Sequence, residues 1–410
     1  MVRHNTFNKV ISSRKAKLGL TGLASTAAMA AFFVASGGTS WAAVGGPSCN
    51  VPGDYATIQA AVDDVGCNTV KVAAGSYTES VTVGRQVTIK GAKAGSSVDN
   101  RTFGGVKEST LTGVGGAVFT INAANVTIDG FSVTNPNQGG GVVVKTAGNN
   151  AVIKNNIVDT IGGVAFASNP VGVYLENGPD SVKVSDNKFN NIQSVPSGQA
   201  ILVGDSTASD PSLKTLIRGN SISNITSSTK GAYGIQVNNG ASTAVTATGY
   251  SEVKIVDNTI KNLTGNWAHA IGLEGETPNA TVRRNVVSNL TDTNPVPAAD
   301  VIGVNFEDNQ FFFTSDVNRN SLNVGAAGYG VAINPALTTA YPSLSLDATC
   351  NWWGAANGPG AVGSGSGSKV TTGVDYNPWL KSNRLDGKCS DNNHHDYWNG
   401  DDWDWGHDNR

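Results

Sequence analysis

One short phrase recurs through this chain: an Asn set among alternating apolar residues, with another apolar residue five positions beyond it. It reads VIKNNIVDTI, VKVSDNKFNNI, TLIRGNSISNI, VKIVDNTIKNL and ATVRRNVVSNL. Aligning Asn156, Asn187, Asn220, Asn258, Asn285, Asn320 and Asn351 gives successive spacings of 31, 33, 38, 27, 35 and 31 residues. A repeat of roughly 20 to 50 residues implies a solenoid, propeller or array built by stacking one supersecondary unit.

The side-chain period decides which. Each unit carries an earlier segment of the form small–apolar–x–apolar: GVVVK, GVYLE, AILVG, GIQVN, AIGLE, IGVN and GVAIN. Both segments alternate with period two, a strand signal, and no helical period lies between them. In the first segment Val173 with Leu175, Ile235 with Val237, Ile271 with Leu273, and Ile302 with Val304 face one side; in the second, Val253, Ile255, Ile260 and Leu263 do the same. Short strands with inward Val, Ile and Leu stack as coils of a parallel β-helix, each strand pairing with its counterpart one coil away, about 4.8 Å along the axis. The expected fold class is all-β, with about ten coils spanning roughly 50 Å. At the corners Asn tolerates φ > 0, and its amide can bond the Asn above and below in a ladder. One simple explanation covers all seven positions, so the recurrent Asn are read as structural and not catalytic.

A solenoid adds coils without widening its core, so one elongated domain over residues 47–380 accommodates the length. The 50 Gly residues and the low charged fraction of 14% suit short strands and tight turns. Residues 1–42 read as a cleaved signal peptide. Arg3, Lys9, Arg14, Lys15 and Lys17 precede an apolar, Ala-rich run, and Ser40, Trp41 and Ala42 end it with a cleavage pattern. No later apolar stretch approaches the ~20 residues that span a bilayer, which predicts a secreted, soluble monomer without a membrane span. Removing the leader takes five basic residues from 28 Lys plus Arg and none from 31 Asp plus Glu, leaving 23 against 31, or −8. Nucleic acid normally needs a basic face, so it is excluded as a partner. A uronate-bearing substrate needs a local basic patch.

Four Cys in an exported chain point to disulfides, and sequence alone allows three connectivities. The preferred pairing joins Cys49 to Cys67 and Cys350 to Cys389, pinning the two solenoid ends. No CxxC-like spacing suggests a metal site. Trp353 takes the inward slot two residues after a ladder Asn and is expected to plug the last coil. Residues 381–410 end in DNNHHDYWNGDDWDWGHDNR, which has no period and cannot form a core, so they read as an acidic tail.

Three regions carry a family likeness. YATIQAAVDDVGCNTVKVAAGSYTESVTV opens the body, the Asn repeats fill its middle, and CNWWGAANGPG with VDYNPWL closes it. Together they resemble the right-handed parallel β-helix proteins of the pectin lyase-like superfamily, in particular secreted members with PbH1 repeats. The resemblance implies a single-stranded right-handed parallel β-helix solenoid with a short N-terminal capping helix. That fold carries lyases, hydrolases, esterases, epimerases and non-catalytic adhesins alike.

Register counting places candidate chemistry on outward columns. One holds Tyr233, His269, Asp300 and Tyr329, and the rim beside it holds Glu176, Asn238, Glu274, Asn305 and Asn334. The other strand presents Lys154, Arg218, Arg283 and Arg284. In the preferred reading Tyr233, Arg283 and Glu274 contact an extracellular or cell-envelope polysaccharide without catalysis. In the alternative Glu274, Asp300, His269 and Arg283 serve a polysaccharide lyase or glycoside hydrolase acting on a uronic-acid-containing glycan. The binding reading needs no cofactor; a lyase would use Ca²⁺. The family's Gly-His-Gly and Asp-Pro-His catalytic signatures do not occur.

Overall fold

The computed structural model describes residues 47–176, 178–204, 212–238, 252–275, 277–294, 300–309 and 311–389. The leader at 1–42 and the tail beyond Cys389 lie outside the described residues. Nearly all regular structure is strand, gathered into three parallel sheets of twelve, eleven and nine strands. The first sheet, of twelve strands, runs from Ser48–Val51 to Val374–Asp375; the second includes Val171–Leu175, and the third includes Lys188–Ser194.

The chain visits the sheets in rotation. Val171–Leu175 of the second sheet leads to Lys183–Ser185 of the first, then Lys188–Ser194 of the third, then Gly198–Val203 back in the second. Each strand pairs in parallel with its counterpart one coil away, as in Val173↔Ile201, Val184↔Ile217 and Phe189↔Ile222. The apolar alternation causes this stacking. Three-residue strands of the first sheet send one central residue inward, as Ile153, Val184, Ile217, Ile255 and Val282 do, all 0% exposed. Strands of the third sheet send two, such as Ile222 and Ile225 or Ile260 and Leu263. The twelve strands of the first sheet exceed the ten or so coils expected.

The corner between the first and third sheets is closed by the inward Asn residues. Asn156 Nδ2 donates to Asn187 Oδ1 at 3.1 Å, Asn187 to Asn220 at 3.1 Å, and Asn220 to Asn258 at 3.0 Å. The chain of amides continues through Asn285 and Asn320 to Asn351, each step 3.0 Å. Every link is doubled, because the backbone N–H of each Asn donates to the same Oδ1, as Asn220 N does to Asn258 at 2.9 Å. One expectation is corrected. The left-handed residue is the one before each ladder Asn, namely Asn155, Asp186, Gly219, Asp257, Arg284, Arg319 and Cys350, with φ between 52° and 65°. The side chain that turns inward needs ordinary backbone; its predecessor makes the bend.

A second, outer ladder marks a bend within the third sheet. Asn191, Asn224, Asn262 and Asn289 are left-handed at φ 54–59° and stand four residues after successive ladder Asn. Asn262 Nδ2 donates to Asn224 Oδ1 at 3.2 Å, and Asn289 continues the series to Asn262.

The N-terminal end carries the six-residue helix Ile58–Asp63, which buries Ile58, Ala61 and Val62. So short a helix is marginal by itself, and its termini leave orphan backbone groups. Opposite charges satisfy both ends. The Glu79 carboxylate accepts from Ile58 N at 2.9 Å and Gln59 N at 3.0 Å, while Arg85 donates to the carbonyls of Val62, Asp64 and Cys67 at 2.6–2.8 Å. Cys49 is bonded to Cys67 and Cys350 to Cys389. At the far end Trp353 is fully buried against Gly330, where an added Cβ would lie 2.8 Å from the indole. No helix among the described residues is long and apolar enough to cross a membrane.

Candidate functional site

Polar side chains that converge do so on the outer face of the second sheet. Its strands carry a row of small residues, Gly172, Ala200, Gly234, Ala270, Gly303 and Gly330, just before the first inward apolar residue. Nothing larger than Ala fits there: a Cβ on Gly234 would approach Ala270 O to 2.5 Å, and one on Gly303 would approach Gly330 O to 2.5 Å. This row fixes the register and corrects the expectation for Ile302. Because Gly303 takes the small slot, Val304 and Phe306 point inward, and Ile302 pairs with His269 on one side and Tyr329 on the other. The outward column is therefore Gln199, Tyr233, His269, Ile302 and Tyr329, with Ile302 where Asp300 was expected. Asn305 pairs with Gly272, two residues short of the rim position assigned to it.

Asp300 nonetheless reaches the cluster from the turn before its strand. His269 Nε2 lies 3.0 Å from Asp300 Oδ1, and Asn305 Nδ2 lies 3.4 Å from His269 Nδ1. A carboxylate oxygen accepts, so Nε2 is the donor in the pair with Asp300, and Asn305 approaches the other ring nitrogen. His269 is only 4% exposed and meets the Tyr233 ring edge to face at 5.6 Å. Tyr233 OH accepts from Trp267 Nε1 at 2.6 Å, and burial holds the phenol well above its ordinary pKa.

Glu274 anchors the second part of the site. Gln236 Nε2 donates to Oε1 at 2.9 Å and Asn238 Nδ2 to Oε2 at 3.0 Å, while Gln199 Nε2 donates in turn to Gln236 Oε1 at 2.5 Å. Burial pushes the Glu274 carboxyl above the usual carboxylate range; the Gln236 hydrogen bond opposes this, and the charges of Glu307 and Asp308 reinforce it. Beyond this row, a cleft of about 360 Å³ opens over the preceding coils, with Val143, Val171, Tyr174 and Leu202 as its apolar wall and Asn169, Gln199, Gln236 and Asn238 as its amides. Farther along the rim, Glu176 is ion-paired with Lys145.

Arg283 is set apart from these residues. It ends the strand Thr281–Arg283 of the first sheet, in register with Val256 and Asn318, whereas Tyr233, His269 and Glu274 belong to the second sheet. Burial and the neighbouring Arg319 and Arg284 lower its guanidinium pKa. Arg218 and Arg284 share Asp257, with Arg284 gripping it by two bonds of 2.6 and 2.8 Å. Thus the structure brings Tyr233, His269, Asp300 and Glu274 together and places Arg283 on another face. Register counting overlooked Gln199, Gln236 and Tyr174. A signal was present, since the two Gln interrupt the otherwise apolar strands GQAILV and GAYGIQVN. Among the described residues no three His, Cys, Asp or Glu side chains converge as a metal site. Comparison with known protein families, curated proteins and solved structures finds no match to this chain.

Proposed function

We propose that this chain is a secreted glycan-binding protein that holds a polysaccharide along the outer face of its second sheet. The observation that carries this reading is the cleft walled by Tyr174 and Leu202 and continued by the hydrogen-bonded row Gln199, Gln236 and Glu274. An apolar wall with a few convergent polar groups is the usual composition of a small-molecule site. An aromatic face supports a sugar ring, and amides orient its hydroxyls. Parallel sheets, the inward Asn ladder and the N-terminal helix support placing the chain among right-handed parallel β-helix proteins of the pectin lyase-like superfamily.

Glycoside hydrolysis is the second reading, favoured by one observation. A carboxyl raised by burial beside other carboxylates, as Glu274 is, suits a general acid. Elimination with Arg283 as base draws no support from a residue on a different sheet. The test is a screen of purified protein against neutral and uronic-acid glycans, with and without Ca²⁺, reading binding, reducing ends and unsaturated products together. Binding lost in Tyr174→Ala and Gln236→Ala, with folding intact, supports the site. New reducing ends that vanish in Glu274→Gln convert the reading to hydrolase. Wild-type binding in both cleft variants refutes the location.

A further inference from the structure

The charges near the second-sheet cleft bear on what it accepts. The outward positions of the first sheet are mixed, with Lys154, Lys183, Arg218, Lys254 and Arg283 beside Asp129, Asp316 and Asp347. Around the second-sheet site the ionisable groups are mainly acids: Glu274, Asp300, Glu307 and Asp308. Lys145 on this side is paired with Glu176, Lys369 lies over the Tyr329 ring at the far end of the column, and Lys230 sits in an exposed turn before Gly231–Asn238. Among the described residues no charged side chain lines the cleft itself.

An ionised carboxylate only accepts, so Glu274 fixes Gln236 Nε2 and Asn238 Nδ2 as donors toward itself. Gln236 then presents Oε1, which takes the Gln199 amide donor. The row therefore commits one N–H of each amide internally, and the second N–H of each amide group stands beside its acceptors as a partner for sugar hydroxyl or acetamido groups. A uronate carboxylate would bring a negative charge toward Glu274, Glu307 and Asp308.

Resting on the glycan-binding reading above, we propose that the cleft takes an uncharged glycan, a neutral hexose or N-acetylhexosamine polymer, and rejects polyuronates. Rejection follows from charge, not from size, and this is specificity by repulsion. Affinity for the neutral ligand is expected to be nearly independent of ionic strength, because no ion pair forms in the complex.

Calorimetric titration of the full protein with cellohexaose, chitohexaose, hexagalacturonate and a mannuronate hexamer tests this. A neutral hexamer is expected to bind at least about tenfold more tightly than either uronate, with less than about a twofold change between low and high salt. One variant keeps the test independent of the buried groups. Glu307→Lys, at an exposed position, is expected to raise uronate affinity by about threefold or more. Tighter binding of a uronate than of both neutral hexamers by the wild-type protein overturns this proposal while leaving glycan binding standing. Uronate affinity unmoved by Glu307→Lys also counts against it. Binding of none of the four overturns the glycan reading and this proposal with it.

Discussion

Replacing Asn258 with Leu removes one rung of the inner ladder while keeping side-chain size. Five hydrogen bonds go with it. Asn258 Oδ1 accepts from Asn220 N at 2.9 Å and Asn220 Nδ2 at 3.0 Å, and Asn258 Nδ2 donates to Ile217 O, Val256 O and Asn285 Oδ1, each at 3.0 Å. Some partners keep another bond: Asn220 Nδ2 still meets Val184 O, Asn285 Oδ1 still accepts from Asn258 N, and Val256 O still accepts from Gly219 N. The Asn220 backbone N–H loses the acceptor it has here, at a position 1% exposed, where water cannot replace it. An orphaned buried donor costs about 1–3 kcal/mol and each of the four further lost bonds about 1 kcal/mol, so the expected loss is about 5–7 kcal/mol. Urea denaturation followed by far-ultraviolet circular dichroism reads this as a lower midpoint. Asn262→Gly serves as the control, since it deletes an exposed outer rung at a left-handed φ of 59° that Gly adopts freely. It is expected to cost under about 1 kcal/mol. A midpoint for Asn258→Leu equal to that of Asn262→Gly refutes the reasoning.

Three further outcomes are expected from contacts of the same kind. The Glu274 carboxyl is raised in the folded protein, so its stabilising contribution is complete below the ordinary Glu range and is lost as pH rises through the folded value; stability of Glu274→Gln is expected to fall less over that interval, and equal slopes in pH-dependent denaturation contradict this. Arg101 grips Glu108 by bonds of 2.9 and 2.8 Å and both are buried, so Glu108→Ala strands a buried guanidinium and is expected to lower stability by about 3–5 kcal/mol, which a thermal melt checks. Replacing Cys49 and Cys67 by Ser opens a closure of 18 residues and is expected to cost about 3 kcal/mol, read by the denaturant midpoint of the N-terminal coils.

The stacked, parallel nature of the fold could be read from the sequence because two signals coincide in every coil. Ladder Asn and inward Ile, Val or Leu recur at fixed offsets, so insertions between them, which change the spacing from 27 to 38 residues, leave the local pattern intact. The site was less readable because it depends on register across such insertions. At Ile302 the small residue, and not the first apolar one, marks the strand start, and a miscount moved Asp300 into a column that Ile302 occupies. Arg283 was misplaced for a related reason: its distance from Glu274 in sequence is short, but a corner between sheets intervenes. The pairing of His269 with Asp300 and the amide relay into Glu274 are tertiary facts with no sequence period behind them.

The central claim is that glycan lies along the outer face of the second sheet. Hydrogen exchange, measured by mass spectrometry with and without a saturating neutral hexamer that binds, tests it most directly. Slower exchange is expected in Val171–Leu175, Gly198–Val203 and Gly231–Asn238, with Lys183–Ser185, Leu216–Arg218 and Thr281–Arg283 of the first sheet unchanged. Protection confined to the first or third sheet, with the second sheet unaltered, contradicts the account.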